Sequence, residues 1–260
     1  MRRSRYLKHK SKNTKFKPYK LVVVSIFIFL IVIFCFISYK VSSLEKFSYV
    51  NNKDGNAEII VVDPQKDKIV KILIDKDFQL ESSRSLGEYR LSSLWVLGQK
   101  EKYKGKLVSE SIVKNFGIPI YLWKDGDLTN LNLYQRVKVL LLNTRNYNDD
   151  YLLNSKTPKD SILINFVHPY VALNLPKMRI EDLTGKKGVT ETVSKILETV
   201  GFKTVDYSRG YDDKLDCEVV GKNKKYNDIV SKIFDCTNIL DLNLYIDLKI
   251  RIGKSFSDRF

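Results

Sequence analysis

The sequence predicts an α/β (α+β) protein. It reads as a single N-terminal transmembrane helix followed by two small extracytoplasmic α/β modules, the second in β-α-β-β-α-β, split βαβ order. Three observations predict this. Residues 21–38 (LVVVSIFIFLIVIFCFIS) carry no charge, no Pro and no Gly. Residues 58–63 and Lys68–Ile74 are β-branched runs separated by a turn. From residue 178 onward, apolar residues switch between helical spacing and strict alternation.

At about 1.5 Å per residue the first stretch nearly spans a hydrocarbon core. In lipid a helix satisfies its own backbone, so a transmembrane helix is expected over 21–41. The tail 1–20 holds Arg2, Arg3, Arg5, Lys8, Lys10, Lys12, Lys15, Lys17 and Lys20, with no Asp or Glu. Such a tail stays cytoplasmic and sends the rest outward, so the expected location is the cell membrane, single-pass. A cleaved signal peptide is the alternative. Against it, the run exceeds a usual h-region, and Tyr39-Lys40-Val41-Ser42-Ser43 makes a poor cleavage site.

The chain has 45 basic and 30 acidic residues, net +15; without the nine basic residues of the tail, 36 face 30, or +6. The lipid bilayer is therefore the first expected partner, and no nucleic-acid footprint remains. A mildly basic outer part suits a cell-wall glycopolymer or another envelope protein.

The outer part divides by composition. Residues 42–55 read as a polar linker, 56–142 as a first module, 143–177 as a connector and 178–256 as a second module. In the first, 58–63 ends in Asp63-Pro64 and pairs with Lys68–Ile74 as a hairpin. The period of 88–97 is ambiguous. Val108, Ile112 and Phe116 define a short helix closed by Gly117. Residues 118–123 read as an edge strand because of Pro119, and 127–142 as another helix. In the second module, 178–183 is a strand, and Val189, Val193, Ile196, Leu197 and Val200 give an amphipathic helix. Strands follow at 202–207 and 215–219, then a helix through Tyr226, Ile229, Val230, Ile233 and Phe234. The alternation of Ile246, Leu248, Ile250 and Ile252 makes the last strand.

The order strand, Asp63-Pro64 turn, strand, Ile74-Asp75-Lys76-Asp77, then a helix ending Phe116-Gly117-Ile118-Pro119-Ile120 resembles the first part of the LytR/CpsA/Psr domain, over residues 56–125. Arg179-Ile180-Glu181-Asp182-Leu183-Thr184-Gly185, Val200-Gly201-Phe202 and the closing 246–254 stretch resemble the LytR C-terminal domain, over 178–256. The resemblance implies a membrane-anchored envelope protein of a family that transfers polyprenyl-diphosphate-linked glycopolymers to the wall. It also implies Lys76, Asp77 and Arg90 as ligand-binding residues. The departures point away from catalysis. Asp75-Lys76 stands where the family has Pro-Arg, and Lys lacks Arg's bidentate fork. The acidic metal ligand falls at Ala57 or Glu58, and the later paired arginines have no counterpart. Phosphoryl transfer depends on positioning and charge neutralisation, so the first module reads as a degenerate, shortened version of the catalytic one.

No catalytic residue, metal or cofactor is therefore expected. His9 and His168 are the two histidines; no Cys/His cluster suits zinc, and His168-Pro169 reads as a turn. Thr184-Gly185-Lys186-Lys187-Gly188 lacks full phosphate-loop spacing and also reads as a turn. Cys35 lies in the apolar run. Cys217 and Cys236 either form a disulfide or remain two buried thiols; spacing does not decide. The expected work is non-catalytic binding or scaffolding at the cell wall. The rivals are a glycopolymer transferase and a division-site bitopic scaffold.

Overall fold

The computed structural model describes residues 18–42, 45–66, 68–142 and 149–260. The basic tail through Lys17, with His9, and the first residues of the connector, 143–148, lie outside the described residues. The chain divides into two compact units, Met1–Ser43 and Leu44–Phe260.

In the first unit Pro18–Ser42 is a 25-residue helix, α1. Among the described residues, no helix is long and apolar enough to cross a membrane. This corrects the transmembrane element of the expected fold class.

The second unit opens on a strand. Phe47–Lys53 (β1), expected as linker, pairs antiparallel with Asn56–Asp63 (β2) through a two-residue Asp54-Gly55 turn. Both turn residues have positive φ (54° and 86°), as the tight hairpin turn matching strand twist requires. β2 pairs antiparallel with Lys68–Ile74 (β3) in unbroken register from Ala57↔Ile74 to Asp63↔Lys68. Gln79–Glu81 (β4) and Glu88–Arg90 (β5) form a separate small ribbon. Then come the helices Leu91–Lys100 (α2) and Gly105–Phe116 (α3). Leu122–Asp125 (β6) and Leu128–Thr129 (β7) return to the first sheet. Leu133–Leu142 (α4) and Asp149–Leu152 (β8) follow, giving the sheet order β7-β6-β1-β2-β3-β8.

Two sequence expectations change here. β6 lies between β1 and β7, so it is not an edge; Pro119 precedes the strand and removes no ladder donor. The expected helix over 127–142 begins only at Leu133, because β7 takes the residues before it. β2 is buried on both faces. Ile59 and Val61 pack with Leu94, Leu107, Ile112 and Phe116, while Ile60 and Val62 pack with Leu131 and Val139. This accounts for its continuous apolar run.

Short helices Asp160–Leu163 (α5) and Pro169–Asn174 (α6) lead to the second sheet. Its elements are Lys177–Leu183 (β9), Val189–Val200 (α7), Lys203–Arg209 (β10), Cys217–Gly221 (β11), Lys224–Phe234 (α8), Thr237–Leu240 (β12), Leu248–Gly253 (β13) and Lys254–Arg259 (α9). The expected split βαβ is thus corrected: β12 and α9 are additional, and the sheet order is β10-β9-β13-β11-β12. Two βαβ units, β9-α7-β10 and β11-α8-β12, flank the central β13, which runs parallel to β9 and antiparallel to β11. One face packs Met178, Ile180, Val219 and Ile250 against Val193, Ile196, Leu197 and Val230 of the helices. The other carries a charge ladder: Arg251 bonds Glu181 at 3.1 Å, and Arg179 pairs with Asp206 at 3.4 Å. The two faces explain the strict alternation in the sequence.

Cys217 of β11 is bonded to Cys236, which follows α8. The bond closes a loop of sequence separation 19. Loop-closure entropy for that length is worth about 3 kcal/mol. Denaturant unfolding of the full chain, oxidised and reduced, should therefore differ by about that amount in unfolding free energy. Coincident transitions would show that the bond adds nothing to the fold.

Candidate functional site

A cleft of about 610 Å³ opens within the Leu44–Phe260 unit, where the start of β1 meets the segment just before α6, the helix α8 and the end of α7. Its size is that of a small-molecule site. Its inner lining is apolar and buried: Phe47, Val61, Phe166, Val200 and Ile233. Its charged lining is mostly cationic, with Lys46, Lys224, Lys225 and Lys232 set against Glu45 and Asp228, and His168 lies beside them.

Each charged group is held by local structure. Pro169 starts α6, and His168 takes the preceding cap position. The His168 carbonyl accepts from the N–H groups of Val171 and Ala172, both at 3.0 Å, and its own N–H donates to the Val200 carbonyl at 2.9 Å. The His168 backbone is thereby tied to both α6 and the end of α7. Its Nε2 lies 3.4 Å from the Glu45 carboxylate. Its Nδ1 is buried with no hydrogen-bond partner among the described residues. Burial pushes the His168 pKa below its ordinary value; Glu45 opposes this, while Lys225 and Lys46 add to it. The ring is therefore neutral at pH 7.

Lys225 sits at the N-terminus of α8. Asn223 caps that helix by accepting from the Lys225 N–H at 2.9 Å, and it donates to the Tyr170 hydroxyl at 3.1 Å. The Lys225 ammonium pairs with Glu45 and lies 3.7 Å above the Tyr170 ring, a cation–π position. Lys46 donates from Nζ to the Val167 carbonyl at 3.1 Å. Burial lowers the Lys46 pKa, with Asp63 opposing and Lys66 and Lys68 reinforcing the shift. Burial likewise raises the Tyr121 pKa, with Glu45 adding to the effect. The arrangement sets one ammonium, that of Lys225, and a neutral imidazole against one carboxylate, with the partly buried Lys46 nearby, beside an apolar cavity. It can hold an anion in a low-dielectric setting, where charge contacts are stronger than in water.

The residues implied by the family resemblance lie elsewhere. Lys76 and Asp77 occupy the turn after β3, where their N–H groups donate to Asn56 and Asp75, both at 2.8 Å. Arg90 meets Asp77 at 3.4 Å, with side chains 64% and 60% exposed. The structure brings Arg90 and Asp77 together, but neither lines the cleft. Lys186 of the glycine-bearing turn is paired with Asp258 at 2.7 Å. Among the described residues, no group of three or more His, Cys, Asp or Glu is placed to hold a metal ion. No family model matches the sequence, and no curated protein or solved structure is similar to it.

The burial of His168 has a pH signature. Its folded pKa is depressed, so below about pH 6.5 the unfolded chain takes up the proton first. Its stability contribution is therefore complete above that pH and is lost as pH falls toward the folded pKa. His168→Gln should flatten the fall in unfolding midpoint between about pH 7 and about pH 5. An unchanged slope would assign the acid sensitivity to other groups.

Proposed function

We propose that the Leu44–Phe260 unit is a non-catalytic binding module of the cell envelope, acting outside the cytoplasm on an anionic envelope component such as wall glycopolymer. The observation that carries this reading is the cleft. It combines an apolar lining with Lys46, His168 and Lys225, and nothing in its lining forms a nucleophile and base pair within hydrogen-bond reach. The Cys217–Cys236 bond supports an oxidising compartment, since structural disulfides persist outside the reducing cytosol. The likeness of residues 178–256 to the LytR C-terminal domain supplies the proposed setting at the wall. The exposed Arg90–Asp77 pair argues against the transferase alternative: a pair so solvated is worth less than about 1 kcal/mol and makes a poor diphosphate clamp.

The test is retention of the full chain on isolated wall polymer at low salt and at about 0.5 M salt, where exposed charges are screened within a few ångströms. The wild-type chain should be retained at low salt and released at high salt. Lys46→Ala/Lys225→Ala should lose most retention. If neither protein is retained at low salt, the wall-binding reading is wrong.

A further inference from the structure

Glu45 is the resident counter-ion of the cleft. Its carboxylate spans Lys225 and His168 Nε2, and its side chain is half exposed. It therefore shows what the Lys225 ammonium and the His168 Nε2–H accept, which is a carboxylate approaching from the solvent side. Behind it, the cavity is far larger than one carboxylate needs, and its walls are Phe47, Phe166, Val200, Ile229 and Ile233. One polar group at the boundary still has donor capacity. The Lys46 ammonium offers three donors, of which the Val167 carbonyl takes one. The N-terminus of α8, which carries Lys224 and Lys225, adds positive potential at the same edge.

We propose that the cleft binds an amphipathic carboxylate, a carboxylate head on a hydrocarbon chain, and that the head displaces Glu45 from Lys225 and His168. The chain lies along the apolar walls, and Glu45 swings to solvent. Glu45 then acts as a built-in competitor that sets the affinity of the site and keeps small anions from filling it. This assignment rests on the reading of the unit as a binding module, and it adds the ligand class and the competing residue.

The test is calorimetric titration of the full chain with dodecanoate below its micellar concentration, beside acetate and dodecanol. Dodecanoate should bind at least about tenfold tighter than either, because each of the others lacks one half of the recognition. Glu45→Gln should tighten dodecanoate about tenfold, a gain that misfolding cannot produce. Lys225→Ala should weaken it by a similar factor. Equal binding of dodecanol, or of acetate, would overturn the amphipathic assignment. Unchanged or weaker binding by Glu45→Gln would overturn the displacement of Glu45. Dodecanoate binding without retention on wall polymer would sink the proposed setting and leave this assignment intact. Retention on polymer without dodecanoate binding would do the reverse.

Discussion

Helix α3 is buried on two sides, and the architecture of the Leu44–Phe260 unit depends on it. Leu107, Val108, Ile112 and Phe116 enter the core of the first sheet, while Val113 enters the core of the second. Each such side chain contributes about 1.5–3 kcal/mol of burial, and here the burial fastens two sheets with one element. Polar contacts follow the same axis. Arg84 makes a forked pair with Glu110 of α3 at 2.9 and 2.8 Å, and Lys106 reaches Asp235 after α8 at 2.6 Å. Gly105 is required at the start of α3, since a Cβ there would lie 2.5 Å from the Trp123 ring. Gly117 ends the helix at φ 66°, and the chain turns into Pro119 and Tyr121, which form part of the cleft wall. The helix that joins the sheets thus also delivers one side of the site.

Elsewhere in the unit, buried charge is neutralised at close range. Glu58 accepts from Lys71 at 2.8 Å and lies 3.3 Å from Lys53. Asp182, almost fully buried, accepts from the Thr184 hydroxyl, the Thr184 N–H and the Thr190 hydroxyl. Such groups cost little because their partners replace water. Four buried side-chain atoms among the described residues lack a hydrogen-bond partner, and of these His168 Nδ1 is the one belonging to a cleft residue. The cleft is also where Lys46 is forced to a lowered pKa by burial. An unpaired buried polar atom and a burial-shifted lysine in one cleft are features that binding sites carry.

Much of the fold was legible in the sequence, and the parts that were not have physical reasons. In the β2–β3 hairpin, β2 is a run of β-branched residues buried on both faces. Helices α7 and α8 show clear apolar stripes because one side faces the second sheet. β12 left no trace, because all four of its residues are exposed and no buried alternation marks it. β1 was hidden by Asn51, Asn52 and Lys53, yet a signal was present: Asp54-Gly55 directly before a β-branched run is a hairpin cue. Reading it would have moved residues 47–53 from linker to strand. It would also have placed Glu45 and Lys46 just before the start of that strand. The site itself left no pattern, because Lys46, Tyr121, His168 and Lys225 come from four distant segments. His168-Pro169 was readable as a chain reversal, and it does start α6; its burial is a property of packing against Val200, which no local spacing encodes.

The contrast between the Arg90–Asp77 pair and the Glu45 cluster shows why residue type alone could not locate the site. Both set a nitrogen donor against a carboxylate at about 3.4 Å. At Arg90 the pair stands in water, where the Coulomb term at that range is about 1 kcal/mol and salt erodes it. At Glu45 the carboxylate sits against a buried imidazole, a lysine held over the Tyr170 ring and an apolar cavity, so the same attraction acts through a lower dielectric. A like-charged ligand able to fill the cavity adds apolar burial that Glu45 cannot supply, and this difference decides which carboxylate holds the cations. Specificity in such a site therefore comes from the hydrocarbon walls, and the charges set orientation.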